Sequence, residues 1–597
     1  MPVKVINTEL GHSLPPEAPH NITFHVPGWE NATAQRRPGP RFFELLSKVV
    51  TIYPRFGPWA QVRQLATLVH SVLSLPETHA ALLFTHPDCF ATVQQYAASP
   101  RRKPEHRIPP EALLFRAVDI PLTPPAPLAD EVVVVRLYVV AHPQGPAAPG
   151  ALGVWQNYGT GISSRLAEAL IPAVERGEAK VVDWRADGNV LEKVPVPESN
   201  VGLLPLREAH RGLRERIAGL VGGAGRKKAV AAVGEGDVFL YPTGMAAIYR
   251  LHKAMVEVRG PSSTVVVLGS VFHSTWHLFE ESEGGMKQFG RCDAESGVME
   301  ALESWLEGEK AAGRKVGYIF AEFPSNPILV SVDLRRLREV ADKYEVPVVI
   351  DDTIGSFCNV DVSLVADVIM TSITKSLSGY ANVMGGSLVL PPSSRYYPAI
   401  KATLQTQFRN EYFHADAAKL LSNSADYLAR SAILNRNALR LATFLHTHSV
   451  AFFPATSPVK AVLYPPFTDT KPNYDAMMLG PPSASPEPGF TPGYGCLLSI
   501  EFTSLPVARA FFDALSVHHG PHLGAHHTLA FPFNDAIWGA DPETAAHQES
   551  IGARRQQVRV SVGLEDEETL VDTFAAALRV AEAARRKEEE EEGNVPN

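Results

Sequence analysis

Cysteine is scarce in this chain. Its four cysteines, Cys89, Cys292, Cys358 and Cys496, are scattered through 597 residues with neither disulfide-framework nor metal-ligand spacing. That excludes a disulfide-stapled scaffold and predicts a reducing, cytoplasmic setting. Long hydrophobic runs are also missing. The most apolar stretch, VVVVRLYVV, is short and interrupted by an arginine, so no membrane-spanning helix is expected. The first thirty residues hold no basic segment followed by an apolar core and a cleavage site. Secretion is therefore not expected, nor is glycosylation of Asn21 and Asn31, although each begins an N-x-T triplet. Positive charge is not in excess: 55 Lys and Arg against 64 Asp and Glu give −9, which offers nothing to the phosphates of a nucleic acid.

What is present is ordinary folded-protein composition, 45% apolar and 20% charged, in a chain long enough for two to four domains. Residues 1–200 read as an amino-terminal extension. RKPEHRIPP and PLTPPAPLAD are connectors that neither helix nor strand crosses, and EVVVVRLYVV is β-branched enough to be a buried strand. ISSRLAEALIPAVERG and LPLREAHRGLRERIAGLVGG carry helical spacing. The glycines of AGRKKAVAAVGEG have no strand before them and no G-K-[ST] after them, so this stretch reads as a surface connection and not a nucleotide loop.

From Asp237 short apolar strands alternate with amphipathic helices: DVFLYPTG before MAAIYRLHKAMVEV, VMEALESWLEGEKAAG before KVGYIFAEF, LRRLREVADKYE before VPVVIDD. The alternation predicts an α/β fold with a large parallel-sheet domain over 201–410, its ligand groups gathered outside the carboxyl ends of the strands. A second set, KAVLYP, CLLSIEF, LPVARAFFDAL and VRVSVG, predicts a smaller carboxy-terminal α/β domain over 411–582. The segment LGPPSASPEPGFTPGYG reads as a flexible insertion in it, and residues 583–597 as a frayed acidic tail.

One lysine organises the rest. In SITKSLSGYANVMGG, Lys375 follows two small hydroxyl residues at the end of an apolar run and precedes glycines. This suits an amine aimed into a cleft beside phosphate-binding groups, which is what a Schiff base with pyridoxal phosphate (PLP) needs. The cofactor's other requirements each restrict residue type. Thr243, Gly244 and Met245 lie between a strand and a helix, where free amides and the helix dipole favour an anion; the plainer reading is an N-cap and a turn. Ser372 and Thr374 would add hydroxyl donors, or merely solvate a strand end. Asp351, closing VPVVIDD, would keep the pyridine nitrogen protonated, unless it caps the next element. Asn326, between two prolines in AEFPSNPIL, would donate to the ring hydroxyl oxygen, a turn-forming asparagine being the alternative. Lys375 would also move protons between substrate carbons as base and acid.

In order and spacing, YPTGMAA, AEFPSNP, VVIDDT, SITKSLSG, NVMGGSLVL, GYGCLLSIEF and VRVSVGLED resemble the PLP enzymes of cysteine and methionine metabolism. That family includes cystathionine γ-synthase, the cystathionine lyases and O-acetylhomoserine sulfhydrylase. The resemblance, from about Asp237 to Val580, implies an aspartate-aminotransferase-like (fold type I) architecture, small amino-acid substrates, and a homo-oligomer, dimer or tetramer, with active sites across the subunit interface. It also implies that Lys375 is the Schiff-base lysine, Asp351 the pyridine-nitrogen partner and Asn326 the ring-hydroxyl contact. Gly244, Met245, Ser372 and Thr374 resemble the phosphate cradle, and Arg559 the arginine that pairs with the substrate α-carboxylate. Two positions depart from the family. Phe272 stands where a tyrosine usually stacks on the ring, keeping the π-contact without the hydroxyl, and His522 replaces a serine near the substrate. The five histidines from His518 to His527 fit no standard metal-ligand set.

The long extension, with IYPRFGPW and WQNYGTGISSRLAE, is similar to the fungal-type cystathionine γ-synthase branch. Tyr53 and Arg55 resemble the Y-x-R that reaches the phosphate of a neighbouring subunit, with Arg165 a competing candidate. The reaction implied is γ-replacement, joining an O-acylhomoserine (acetyl or succinyl) and L-cysteine as L-cystathionine. A cystathionine lyase, a sulfhydrylase and a non-catalytic regulatory homologue are the alternatives.

Overall fold

The computed structural model describes residues 8–35, 37, 40–53, 56–122, 133–182, 203–222, 233–480 and 490–593. Their strands form three sheets. The first is antiparallel, with β1 (His79–Phe84), β2 (Leu114–Leu122), β3 (Val133–Pro143) and β4 (Lys180–Val181) in the order β1-β3-β2-β4. Its inner strand β3 is the β-branched run of the sequence. Val135, Leu137 and Val139 enter one hydrophobic cluster and Tyr138 and Val140 another. Side chains of a strand alternate between faces, so a strand buried on both sides reads as continuously apolar.

The second sheet holds β5 (Val238–Tyr241), β6 (Thr264–Leu268), β7 (Met286–Phe289), β8 (Val316–Glu322), β9 (Val348–Asp351), β10 (Val368–Thr371) and β11 (Gly386–Val389), in the order β5-β11-β10-β9-β8-β6-β7. The pairs from β10 across to β7 are parallel, but β11 runs antiparallel to both its neighbours. The sheet is therefore mixed and not purely parallel, as the alternation had suggested. The cause lies in the 14 residues 372–385 between β10 and β11, which form successive turns instead of a crossover helix. Without such a crossover the chain returns antiparallel, and the lysine segment becomes the loop of that return.

The third sheet, β12 (Val459–Leu463), β13 (Leu497–Phe502), β14 (His518–His519), β15 (Leu529–Phe531) and β16 (Gln557–Ser561), has the order β12-β13-β16-β15-β14. Helices Tyr427–Thr447, Leu505–Ala514 and Glu567–Gly593 bury their apolar faces against it. The last of these runs on as a helix into the acidic stretch, to Gly593. Glu588 accepts the Ser504 hydroxyl at 2.7 Å, and Arg585 donates to the Pro454 carbonyl at 3.1 Å. Part of the expected flexible insertion, residues 481–489, and most of the glycine-rich connection, residues 223–232, lie outside the described residues.

Candidate active site

Five strand ends of the second sheet converge on one cleft. β5 delivers Thr243 and Gly244, β6 leads to Phe272, β8 ends at Glu322 and continues to Asn326, β9 ends at Asp351, and β10 leads to Ser372 and Lys375. Arg559, on β16 of the third sheet, faces them across the cleft.

The helix Gly244–Arg259 begins at the cleft wall with Thr243 as its N-cap, whose hydroxyl accepts the Ala246 N–H at 2.9 Å. That hydroxyl donates to the Gly159 carbonyl at 2.9 Å, so Thr243 shapes the cradle and does not donate into it. The amides of Gly244 and Met245 belong to the first helical turn, which has no intrahelical acceptor and favours an anion. Glycine is required at 244 because a Cβ there would lie 2.8 Å from both Cβ and Oγ of Ser372. We expect Gly244→Ala to push the two walls of the cradle apart, costing about 1–3 kcal/mol and weakening PLP binding by about tenfold or more. An absorbance titration with PLP and a urea melt would measure the two effects. Ser372 keeps its hydroxyl toward the cleft, without a hydrogen-bond partner among the described residues. Thr374 departs from expectation: its hydroxyl donates to the Gly385 carbonyl at 3.0 Å and accepts the Gly385 N–H at 2.9 Å. Buried where β10 turns back toward β11, it closes the loop and has no proton left for a phosphate.

Lys375 projects from that loop. Arg430 grips the backbone just after it, donating to Ser376 O at 2.9 Å and Leu377 O at 3.0 Å. Gly379, at φ 74°, lets the guanidinium in, since a Cβ would overlap it. The Lys375 amine donates to the Tyr53 hydroxyl at 3.2 Å and to His522 Nδ1 at 3.4 Å. Burial, reinforced by Lys375 and Arg559, holds the His522 imidazole well below its ordinary pKa. It is therefore neutral and accepts from the amine. Its Nε2 is buried without a partner.

Asp351 and Glu322 occupy paired positions on neighbouring strands. Burial lifts Asp351 to about 6, against hydrogen bonds from Thr353 that pull the other way. Glu322 is raised well above the carboxylate range, first by burial and then by Asp351. It was not singled out in the sequence, yet it sets the geometry: it accepts the Phe272 N–H at 2.5 Å and the Asn326 N–H at 3.1 Å, fixing both cleft loops. Asn326 Oδ1 accepts from Arg559 at 3.1 Å, which leaves its amide nitrogen as the group able to donate. Arg559 is 3% exposed, so it is not the strand-surface residue that an isolated arginine suggests. Burial lowers its pKa to about 10, and no carboxylate ion-pairs with it among the described residues. A buried guanidinium of this kind favours an incoming carboxylate. Phe272 lines the cleft beside these groups.

These residues fit PLP. The cradle would take the phosphate, Asp351 the pyridine nitrogen, Phe272 the ring face and Lys375 the aldehyde carbon. Arg165 is not brought to the cleft. It pairs with Asp416 at 3.0 Å and donates to Asn382 O at 2.8 Å, in a smaller cavity behind Thr243. Arg55 lies outside the described residues. Tyr53 accepts a hydrogen bond from the Lys375 of its own chain. The histidine run packs against protein groups: His519 stacks on Phe512 at 4.0 Å between ring centroids and His527 faces Glu565 at 3.6 Å.

Residues 226–579 match the family described as Cys/Met metabolism PLP-dependent enzyme. A cystathionine γ-synthase-like enzyme of Amanita muscaria is 34% identical, over 96% of this chain and 97% of its own. Cystathionine γ-synthase of Neurospora crassa is 29% identical over 96% of this chain and 98% of its own. An alanine racemase of Aspergillus violaceofuscus is 34% identical over 74% of each. Among solved structures, cystathionine γ-synthase of Xanthomonas oryzae pv. oryzae superposes with a TM-score of 0.50 at 23% identity, covering 64% of this chain and 87% of that one. It shares the fold-type I architecture. The chain belongs to the Cys/Met metabolism family of PLP-dependent enzymes.

Proposed function

We propose that the chain is a cystathionine γ-synthase, which replaces the acyl group of an O-acylhomoserine with the sulfur of L-cysteine. The carrying observation is the arrangement around Lys375. Its amine donates to Tyr53 and to the neutral His522, opposite a buried arginine that makes no ion pair among the described residues. When bound, PLP supplies the electron sink that lets substrate Cα and Cβ protons leave. Arg559 would grip the α-carboxylate, with Asn326 holding the guanidinium in plane. Lys375 would carry the protons between Cα and Cβ. Ile22, Ile354 and Leu523 line the cleft and would keep water from competing with the thiol. The C–O bond at Cγ breaks, the acyl group departs as a carboxylate, the Cγ–S bond forms, and the thiol proton is released. The two extensive relatives named as cystathionine γ-synthase or like it support this reading. A cytoplasmic, homo-oligomeric enzyme belongs to the same proposal.

The substrate panel is O-acetyl- and O-succinylhomoserine with cysteine, the same esters with sulfide, cystathionine alone, and L-alanine. Cystathionine formation from an ester and cysteine is expected to have the highest kcat/KM. Faster use of sulfide, breakdown of cystathionine, or racemisation of alanine would each reassign the reaction within the family.

A further inference from the structure

The family match begins at residue 226, so the amino-terminal extension lies outside it. Described residues of the extension nevertheless cover the helix on which the phosphate cradle is built. Thr243, Ala246, Arg250 and Lys253 recur at spacings of three and four, with Tyr249 beside Arg250, which puts them on one face of the helix Gly244–Arg259. The extension meets that face along its length. Gly159 O accepts the Thr243 hydroxyl at 2.9 Å. Tyr158 stacks on Tyr249 with ring centroids 4.7 Å apart and an interplanar angle of 15°, and Thr92 hydrogen-bonds the Tyr249 hydroxyl at 2.8 Å. Asp88 accepts from Arg250 and from Lys253, both at 2.7 Å. Phe84, Tyr138 and Val140 of the first sheet share one hydrophobic cluster with Ile248, Leu251 and Met255 of the helix.

At the cradle end this contact leaves no room. Val154–Tyr158 form a single π turn, a geometry often found at functional sites, and Gly159 ends it at φ 68°. A Cβ on Gly159 would lie 2.4 Å from the Thr243 hydroxyl oxygen, 2.6 Å from Met245 Cβ and 2.9 Å from Ala246 N. Only glycine both adopts this φ freely and lets the first helical turn come so near. We propose that the Tyr158–Gly159 turn is a positioning element for the cofactor phosphate: it orients Thr243 and fixes the first helical turn, so that the Gly244 and Met245 amides are aimed into the cleft. An amide holds an anion well only over a narrow range of N–H···O directions, so a displacement at Thr243 is passed on to the phosphate.

The proposal rests on reading Gly244 and Met245 as the phosphate donors, and Gly244→Ala tests that reading by itself. The full chain, freed of cofactor, is titrated with PLP and with pyridoxal, which can form the same bond to lysine but has no phosphate. Gly159→Ala is expected to lower the preference for PLP over pyridoxal by about tenfold or more, as is Gly244→Ala. Gly161→Ala is the control for strain. It too stands at positive φ, 116°, but its Cβ would strike Trp155, within the extension, so it should weaken resistance to urea and leave the preference unaltered. Should Gly159→Ala fail to fold, Tyr158→Leu removes the stacking on Tyr249 without backbone strain and is expected to lower the preference by about threefold. An unchanged preference in Gly159→Ala, or in Tyr158→Leu where it stands in, beside a lowered one in Gly244→Ala, overturns the role of the turn and keeps the phosphate reading. An unchanged preference in Gly244→Ala as well overturns both. An equal loss in Gly161→Ala would trace the effect to strain anywhere in the loop and overturn the specific role of Gly159.

Discussion

Lys375→Ala is expected to abolish the visible cofactor–lysine band and to lower turnover by at least about 10⁴-fold, because one side chain serves as both covalent anchor and proton carrier. The loss would come from chemistry and not from unfolding. Lys375 is only partly buried, and its amine makes two long hydrogen bonds, at 3.2 and 3.4 Å. The loop is held by backbone contacts that the substitution leaves alone, Arg430 on Ser376 and Leu377 and the Thr374–Gly385 pair. Stability in urea should therefore move by no more than about 1 kcal/mol. There is also an internal reporter. Lys375 is one of the charges that hold down the His522 imidazole, so the variant should titrate His522 at a higher pH than the parent, readable by NMR of a histidine-labelled sample. Retained turnover would refute the role of Lys375. Lost turnover accompanied by a collapsed melt would mean that the lysine is structural.

The parts that sequence disclosed are those whose chemistry is local. Lys375 among small residues, Asp351 at the end of a wholly apolar strand and Gly244 between strand and helix each carry their context within a few positions. Glu322 had the same signature as Asp351. It closes a seven-residue strand buried throughout, but the Pro-Ser-Asn-Pro that follows it drew the reading toward Asn326. The reversed direction of β11 was also available, since residues 372–385 contain no amphipathic stretch long enough for a crossover helix. The contacts of Thr8 and Pro15 with the histidine run were not legible, because the partners lie some five hundred positions apart and single contacts leave no periodicity. Tyr53, read as part of a motif, and the histidine run were both visible, but only the folded chain sets the Tyr53 ring against His522.

The second large effect is expected for Asp351→Asn, and its sign reverses between the empty and the loaded protein. In the cofactor-free chain burial raises Asp351 from an ordinary 3.8 to about 6. The folded state therefore binds its proton more tightly than the unfolded state. Stability attributable to this group is present below pH 3.8, falls as pH rises through that value toward 6, and is absent above it. The difference corresponds to about 3 kcal/mol, so at pH 8 the cofactor-free asparagine variant should resist urea better than the parent by up to that amount, with the gap closing by pH 4. Asn can still accept the Thr353 N–H that Asp351 accepts at 2.9 Å, so no backbone donor need be orphaned. In the loaded protein the carboxylate would face a protonated ring nitrogen, and removing one partner of a buried ion pair costs about 3–5 kcal/mol, or roughly two to four orders of magnitude in kcat/KM. Glu322→Gln is the control. Its two oxygens each accept one amide, Phe272 N–H and Asn326 N–H, so a glutamine would set its own NH2 against one of these donors and disturb the loops that carry them, offsetting the gain at pH 8 that its burial-raised pKa shares with Asp351. Full turnover in Asp351→Asn with loss in Glu322→Gln would transfer the ring-nitrogen role to Glu322. An asparagine variant weaker than the parent at pH 8 would show that ionised Asp351 already has a stabilising partner in the empty cleft.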